Sequence, residues 1–160
     1  MNKMTNVKLE QFPYSEAAKK ALARKPALFI DGEWVESTGG ETLAVIDPSS
    51  GKEVSRFVDA TNADVDKAVA AARRAFDDGR WSNLPPMVRE GMMHKLADIL
   101  GEHADELAEL EAIDNGKPRG MAGAIDVPGA IGMMHYMAGW ASKLGGEMIE
   151  PSAAPAGAFH

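Results

Sequence analysis

Apolar residues change their period near residue 60, from strand-like runs over 27–58 to helical spacing from residue 61 onward. Ahead of the strands, a polar, alanine-containing run at 14–24 predicts a short peripheral helix, with Ser15 to cap it and Pro26 to end it. Two apolar or β-branched runs, 27–30 and 33–35, flank Asp31-Gly32, a dipeptide that accepts positive φ at both central positions of a two-residue turn. A β-hairpin is the expected result. Residues 42–46 and 53–58 are again strand-like, joined by Asp47-Pro48-Ser49-Ser50-Gly51-Lys52, where proline sets one turn angle and glycine permits another. Thr61 then predicts a helix start, its hydroxyl placed for the Asp64 amide. Val65, Val69, Ala72 and Phe76 form one face of that helix, which should be buried. A second stripe runs through Val88, Met92, Leu96, Ile99 and Leu100. A third helix spans about 104–114, with Leu107, Leu110 and Ile113 inward, and Asn115-Gly116 with Pro118 stops it. Asp126 is placed to cap a fourth, with Pro128 in its first turn and Ile131, Met134, Ala138 and Ala141 on one face. Tyr136 and Trp140 mark another face, and Gly145-Gly146 should end the helix before a Pro/Ala-rich tail.

The 160 residues suit one ordinary domain able to bury a core without staples. With 45% hydrophobic and 26% charged residues the chain reads as globular rather than disordered. A formal charge of -7 repels phosphate backbones, so nucleic acid is not an expected partner. Zero cysteines exclude disulfides, thiolate zinc sites and thiol catalysis by these residues. The first ten residues lack the apolar core of a secretory signal, which predicts a cytoplasmic location. The most apolar long stretch, 121–134, is broken by Asp126 and Pro128, so no membrane span is expected.

Candidate chemistry along the chain is sparse. No phosphate-binding loop or Gly-x-Gly-x-x-Gly turn is present. His94 and His103 lie nine apart and His135 has no histidine at i+3 or i+4, so no helical face offers two imidazoles to zinc. Ser142 and His135 are two turns apart, about 10 Å along a helix axis, too far for a nucleophile and its base. Glu106, Glu109 and Glu111 read as a solvated face, with cation binding or acid/base work as the alternative. Trp34, Trp81 and Trp140 with the methionine-rich stretch 133–137 read as core or subunit contact, or else as a pocket wall.

Several stretches in series carry a resemblance: Leu28-Phe29-Ile30-Asp31-Gly32-Glu33-Trp34, Val45-Ile46-Asp47-Pro48-Ser49-Ser50-Gly51-Lys52 and Asp64-Val65-Asp66-Lys67-Ala68-Val69-Ala70-Ala71-Ala72-Arg73. Trp81, Leu96-Ala97-Asp98-Ile99-Leu100, Glu111-Ala112-Ile113-Asp114-Asn115-Gly116-Lys117-Pro118 and Tyr136-Met137-Ala138-Gly139-Trp140-Ala141 continue it. Together, over about 28–151, they resemble the opening of an NAD(P)-dependent aldehyde dehydrogenase. The resemblance implies an α/β chain, the N-terminal segment of that fold: short antiparallel strands followed by amphipathic helices, with the Rossmann-like cofactor domain incomplete. Residues 1–27 would be an N-terminal extension, 28–150 the first part of the cofactor-binding domain, and 151–160 the truncated start of a bridging, oligomerisation segment.

In that family an aldehyde is oxidised to a carboxylic acid with NAD or NADP. By the resemblance, the reactive cysteine, its glutamate base, the oxyanion-hole asparagine and the nicotinamide-binding loop all lie C-terminal to the matched segment. No catalytic or cofactor-binding residue is therefore assigned here, and the isolated chain is expected to be an inactive portion of the enzyme. Its expected partners are the remaining part of the enzyme or full-length subunits, the parent being a homo-oligomer. Helix faces 65–76 and 131–141 would then lack part of the sheet they cover, and the fourth helix near 133–140 would give at most an apolar wall to the aldehyde pocket. One family feature carries over, a structural monovalent cation held by backbone oxygens and one acidic residue, which maps to the Ile46 carbonyl and to Asp114; the remaining ligand has no counterpart here. Asp114 lies beside the apolar stripe of Leu107 and Leu110, and it also reads as a polar helix-end residue bonded to nearby amides. A different function class stays open, an independent non-catalytic interaction module built on this segment.

Overall fold

In a computed structural model, described here for residues 8–146, 148–149 and 158–159, the Asp31-Gly32 turn takes the conformation its residue types favour. Asp31 has φ 55° and Gly32 φ 84°, the paired positive values of a tight hairpin turn. Strand β1 (Leu28–Ile30) therefore folds back antiparallel on β2 (Glu33–Val35), with Phe29 opposite Trp34. A second hairpin joins β3 (Thr42–Asp47) to β4 (Lys52–Val58). Its register slips in the middle: Val45 faces Ser55 but Ile46 faces Glu53. Val54 is thus the extra residue of a bulge, and the bend turns its side chain fully into the core. A third two-stranded pair joins β5 (Met148–Ile149) to β6 (Ala158–Phe159). All three pairs among the described residues are antiparallel and separate; the first two precede the amphipathic helices, as expected, and the third follows them. The tail expected to begin the bridging segment lies outside the described residues apart from β6.

Ser15 caps α1 (Glu16–Leu22) by accepting the Ala18 amide at 3.2 Å. That helix is not peripheral. Ala18 is fully buried and packs with Leu9, Phe12, Val54 and Ile113 in the larger of two apolar clusters. An alanine on the inner face lets the short helix approach closely enough for the amide of its cap residue, Ser15, to be bonded from α4 (Ala104–Asn115).

Helix α2 (Asn62–Asp77) opens with a reciprocal cap in which Thr61 accepts the Asp64 amide and Asp64 accepts the Thr61 amide. Asp64 also accepts from Ser37 Oγ at 2.6 Å and from the Thr38 amide and hydroxyl, which ties the β2–β3 connection to the helix start. The Ser37 hydrogen bond, outweighing burial, holds this carboxyl far below the usual carboxylate range. Contrary to expectation, the Val65, Val69, Ala72 and Phe76 face is largely exposed, and Ala71 is the buried apolar residue of the helix. The period holds, but nothing among the described residues covers that face.

The second stripe is also displaced. In α3 (Pro86–Glu102) Val88, Met92, Leu96 and Ile99 are exposed, and the less exposed side, which holds Met93, Ala97 and Leu100, lies on the helix that packs against α6 (Val127–Ala138). Helix α4 ends at Gly116, whose φ of 80° is the left-handed stop anticipated. The fourth helix starts earlier and ends earlier than expected. It begins after Pro118 with one turn, α5 (Arg119–Met121), passes through a π segment (Ala122–Asp126) and continues as α6 to a cap at Gly139. Asp126 is itself helical, with φ -71° and ψ -53°, and caps nothing. Its carboxylate pairs instead with Lys117 Nζ. Pro128 has no amide to give the carbonyl four residues back, Ala124, and the wider π turn falls at that point. Ala108, Ala122 and Val127 close the second apolar cluster between α4 and this helix.

Candidate functional site

At the end of β3, Asp47 is buried and fully engaged. Its Oδ1 accepts the Ser49 amide at 2.9 Å and the Ser49 hydroxyl at 2.7 Å; its Oδ2 accepts Ser50 Oγ at 2.7 Å and Tyr14 Oη–H at 3.0 Å. Burial alone would raise this carboxyl, but the hydrogen bonds from Ser50, Ser49 and Tyr14 outweigh it and hold it down to about 2. Tyr14 shows the reverse. Burial, then the bond to Asp47 and the charges of Asp47 and Glu109, push its phenol up to about 12.

Glu109 departs from the solvated-face reading. It is buried, and its Oε1 accepts the Ser15 amide at 2.7 Å. Burial raises its carboxyl, but the Ser15 hydrogen bonds and the Arg119 charge bring it below the ordinary value. Glu106 is half-buried beside His103, and Glu111 accepts from Asn115. These carboxylates hold backbone and side chains in place.

The two residues assigned to a cation stand at the ends of adjacent elements. Helix α4 packs along β3, and a Cβ at Gly116 would lie 2.9 Å from the Pro48 ring, so strand end and helix end touch. Ile46 sits at the bulge, where the β3–β4 ladder is interrupted. Asp114 is exposed, so it carries none of the desolvation cost that a position beside the apolar stripe suggested. A strand carbonyl and a carboxylate are oxygen donors, the type that hard cations take.

His94 and His135 were missed as a pair because they come from different helices. Packing of α3 on α6 places their Nδ1 atoms 2.7 Å apart with ring centroids 5.0 Å apart. Only that packing relates them, since 41 residues separate them in the chain. Ser142 lies beyond the helix end, in the turn after Gly139.

The aromatic and methionine residues do not enclose a pocket. Trp34, Trp81 and Trp140 are all exposed and sit on different elements; Tyr136 and Trp140 meet edge to face at 6.4 Å on the outside of α6, beside exposed Met133 and Met137. A shallow groove runs between the first hairpin and α2, lined by Phe29, Ile30, Ala68, Ala72, Ala75 and Arg80. Among the described residues no group of three or more His, Asp or Glu is placed to hold a metal ion, and no helix is long and apolar enough to cross a membrane. The described strands are antiparallel pairs without a Gly-x-Gly-x-x-Gly turn, so these residues alone do not form a dinucleotide crevice.

A family model described as the aldehyde dehydrogenase family matches residues 34–159. An aldehyde dehydrogenase of Alternaria alternata is 41% identical over 147 residues, covering 92% of this chain and 28% of that protein. One of Aspergillus niger is 46% identical over 123 residues, covering 77% of this chain and 24% of that protein. The solved NAD+ complex of aldehyde dehydrogenase from Bacillus cereus superposes with a TM-score of 0.81 at 36% identity, over 88% of this chain and 28% of that one. The chain spans about a quarter of the length of these two relatives.

Proposed function

The chain belongs to the aldehyde dehydrogenase family, and from that membership we propose that residues 1–160 serve as the N-terminal segment of an enzyme that oxidises an aldehyde to a carboxylic acid with NAD or NADP, in the cytoplasm and within a homo-oligomer. In this reading the segment is structural and does not turn over substrate by itself. The observation that carries it is the absence of cysteine from a chain whose family resemblance calls for a thiolate nucleophile. NAD or NADP, when bound, accepts the hydride. The residues described do not fit that cofactor by themselves, and no step is assigned to them.

What the segment supplies is surface. Val65, Val69 and Phe76 on α2, Tyr136 and Met137 on α6 and Trp140 just beyond it are exposed apolar residues that the remaining part of the enzyme would cover. The Ile46 carbonyl and Asp114, at the touching ends of β3 and α4, would hold the monovalent cation as a structural brace, with the further ligands supplied by the rest of the enzyme. The test is an absorbance assay of nicotinamide reduction with the purified 160-residue chain and a panel of aliphatic and aromatic aldehydes. No aldehyde-dependent signal is expected. Turnover that survives removal of host enzymes would overturn the assignment.

A further inference from the structure

The geometry points to a divalent transition-metal site at His94 and His135, a two-imidazole centre bridging α3 and α6. The two Nδ1 atoms face each other at 2.7 Å. The opposite ring nitrogens face carboxylates: His94 Nε2 is 3.8 Å from Glu90 Oε1, and His135 Nε2 is 3.5 Å from Asp98 Oδ1. A metal-bound imidazole has this same polarity, one nitrogen on the ion and the other N–H directed at a carboxylate that orients the ring. Each histidine has a carboxylate on that side, close enough to take the N–H after a small ring rotation.

An ion about 2.0–2.1 Å from each nitrogen needs the two nitrogens about 2.9 Å apart at a right angle and about 3.4 Å apart at a tetrahedral one. Starting from 2.7 Å, the rings must part by roughly 0.2–0.7 Å, a rotation of side chains rather than a shift of helices. Room exists for it, since both side chains are more than a third exposed. The pair shares a hydrogen bond, so one Nδ1 carries a proton. On metal binding that proton leaves Nδ1 and the same ring takes one up at Nε2 through water, beside its carboxylate. No charge is lost from the ring and no third reagent is required. A third protein ligand does not stand at the pair among the described residues, so water completes the coordination. Imidazole pairs of this kind suit Ni2+, Zn2+ and Cu2+, and not Mg2+ or Ca2+, which prefer oxygen.

Titration calorimetry with Ni2+ tests this site. One ion per site is expected, and His94→Gln or His135→Gln should weaken it by more than about tenfold, since even loss of an outer-shell partner costs about 10–100-fold. Glu90→Gln and Asp98→Asn should each weaken it less than either histidine substitution, and His103→Gln should leave it unchanged. Circular dichroism checks that each variant is folded. Should a histidine variant unfold, Zn2+ added to protein carrying 15N-histidine decides the matter: a shift of both Nδ1 resonances supports the site. Absence of binding, binding that survives both histidine substitutions, or unshifted Nδ1 resonances overturns it.

Discussion

Replacing Asp47 by asparagine isolates the contribution of one buried carboxylate. The amide keeps the shape, and its oxygen still accepts the Ser49 amide and hydroxyl. Its NH2 group then meets Tyr14 Oη and Ser50 Oγ, hydroxyls able to accept in place of donating. The loss is therefore mainly that of the charge. A carboxyl held to about 2, against 3.8 for a free aspartate, is worth about 2 kcal/mol of folding stability at neutral pH. Because the folded-state value is the lower one, that contribution is complete above pH 3.8 and disappears as pH falls through 2. Roughly half of it should remain at about pH 3. Urea unfolding of the protein and of Asp47→Asn at neutral pH and at about pH 3 measures both quantities. Equal stability at neutral pH, or a gap that stays constant between the two conditions, would refute the account of this node.

Tyr14 gives a second readout of the same node: in the Asp47→Asn protein its phenol should titrate below the value of about 12 that it has in the unaltered protein, followed by phenolate absorbance. In the unaltered protein the raised value of Tyr14 adds stability below pH 10 that is lost as pH rises through about 12. Gly116→Ala should cost about 2 kcal/mol, because φ 80° is unfavourable for alanine and its Cβ would lie 2.9 Å from the Pro48 ring. An unchanged urea midpoint for that variant would show that the α4 stop tolerates a side chain. Val69→Glu with Phe76→Glu, at positions 61% and 69% exposed, should change stability by no more than about 0.5 kcal/mol while lowering light scattering. Scattering that persists would locate self-association on another face.

Elements whose signal is local were legible in the residues. The Asp31-Gly32 turn, the Thr61–Asp64 cap and the Gly116 stop each depend on groups within a few positions of one another. Burial was not legible, because it depends on partners. The α2 stripe has helical period but no cover among the described residues, and in α3 the fully buried position is Ala97, a small residue that permits close approach, rather than the larger Val88 and Leu96. Asp126 and Pro128 resemble a helix start, yet the helix runs through them by way of the π turn. Glu109 and the histidine pair were invisible for one reason: their partners lie 94 and 41 residues away. Ile46 and Asp114 entered through family resemblance alone, and the contact of their elements is a tertiary fact that no spacing encodes.

The widened turn at Ala122–Asp126 makes this helix tolerant of length change at one place and intolerant elsewhere. Such a turn absorbs one surplus residue without rotating the helix beyond it. Deleting Ala124 should therefore remove the surplus residue and leave His135 opposite His94, whereas deleting Gly132 should swing His135 about 100° around the axis and break the pair. Imidazole resonances of the two deletion proteins distinguish these outcomes. Any drift in length tolerated between Pro118 and Trp140 should accordingly accumulate in the π segment.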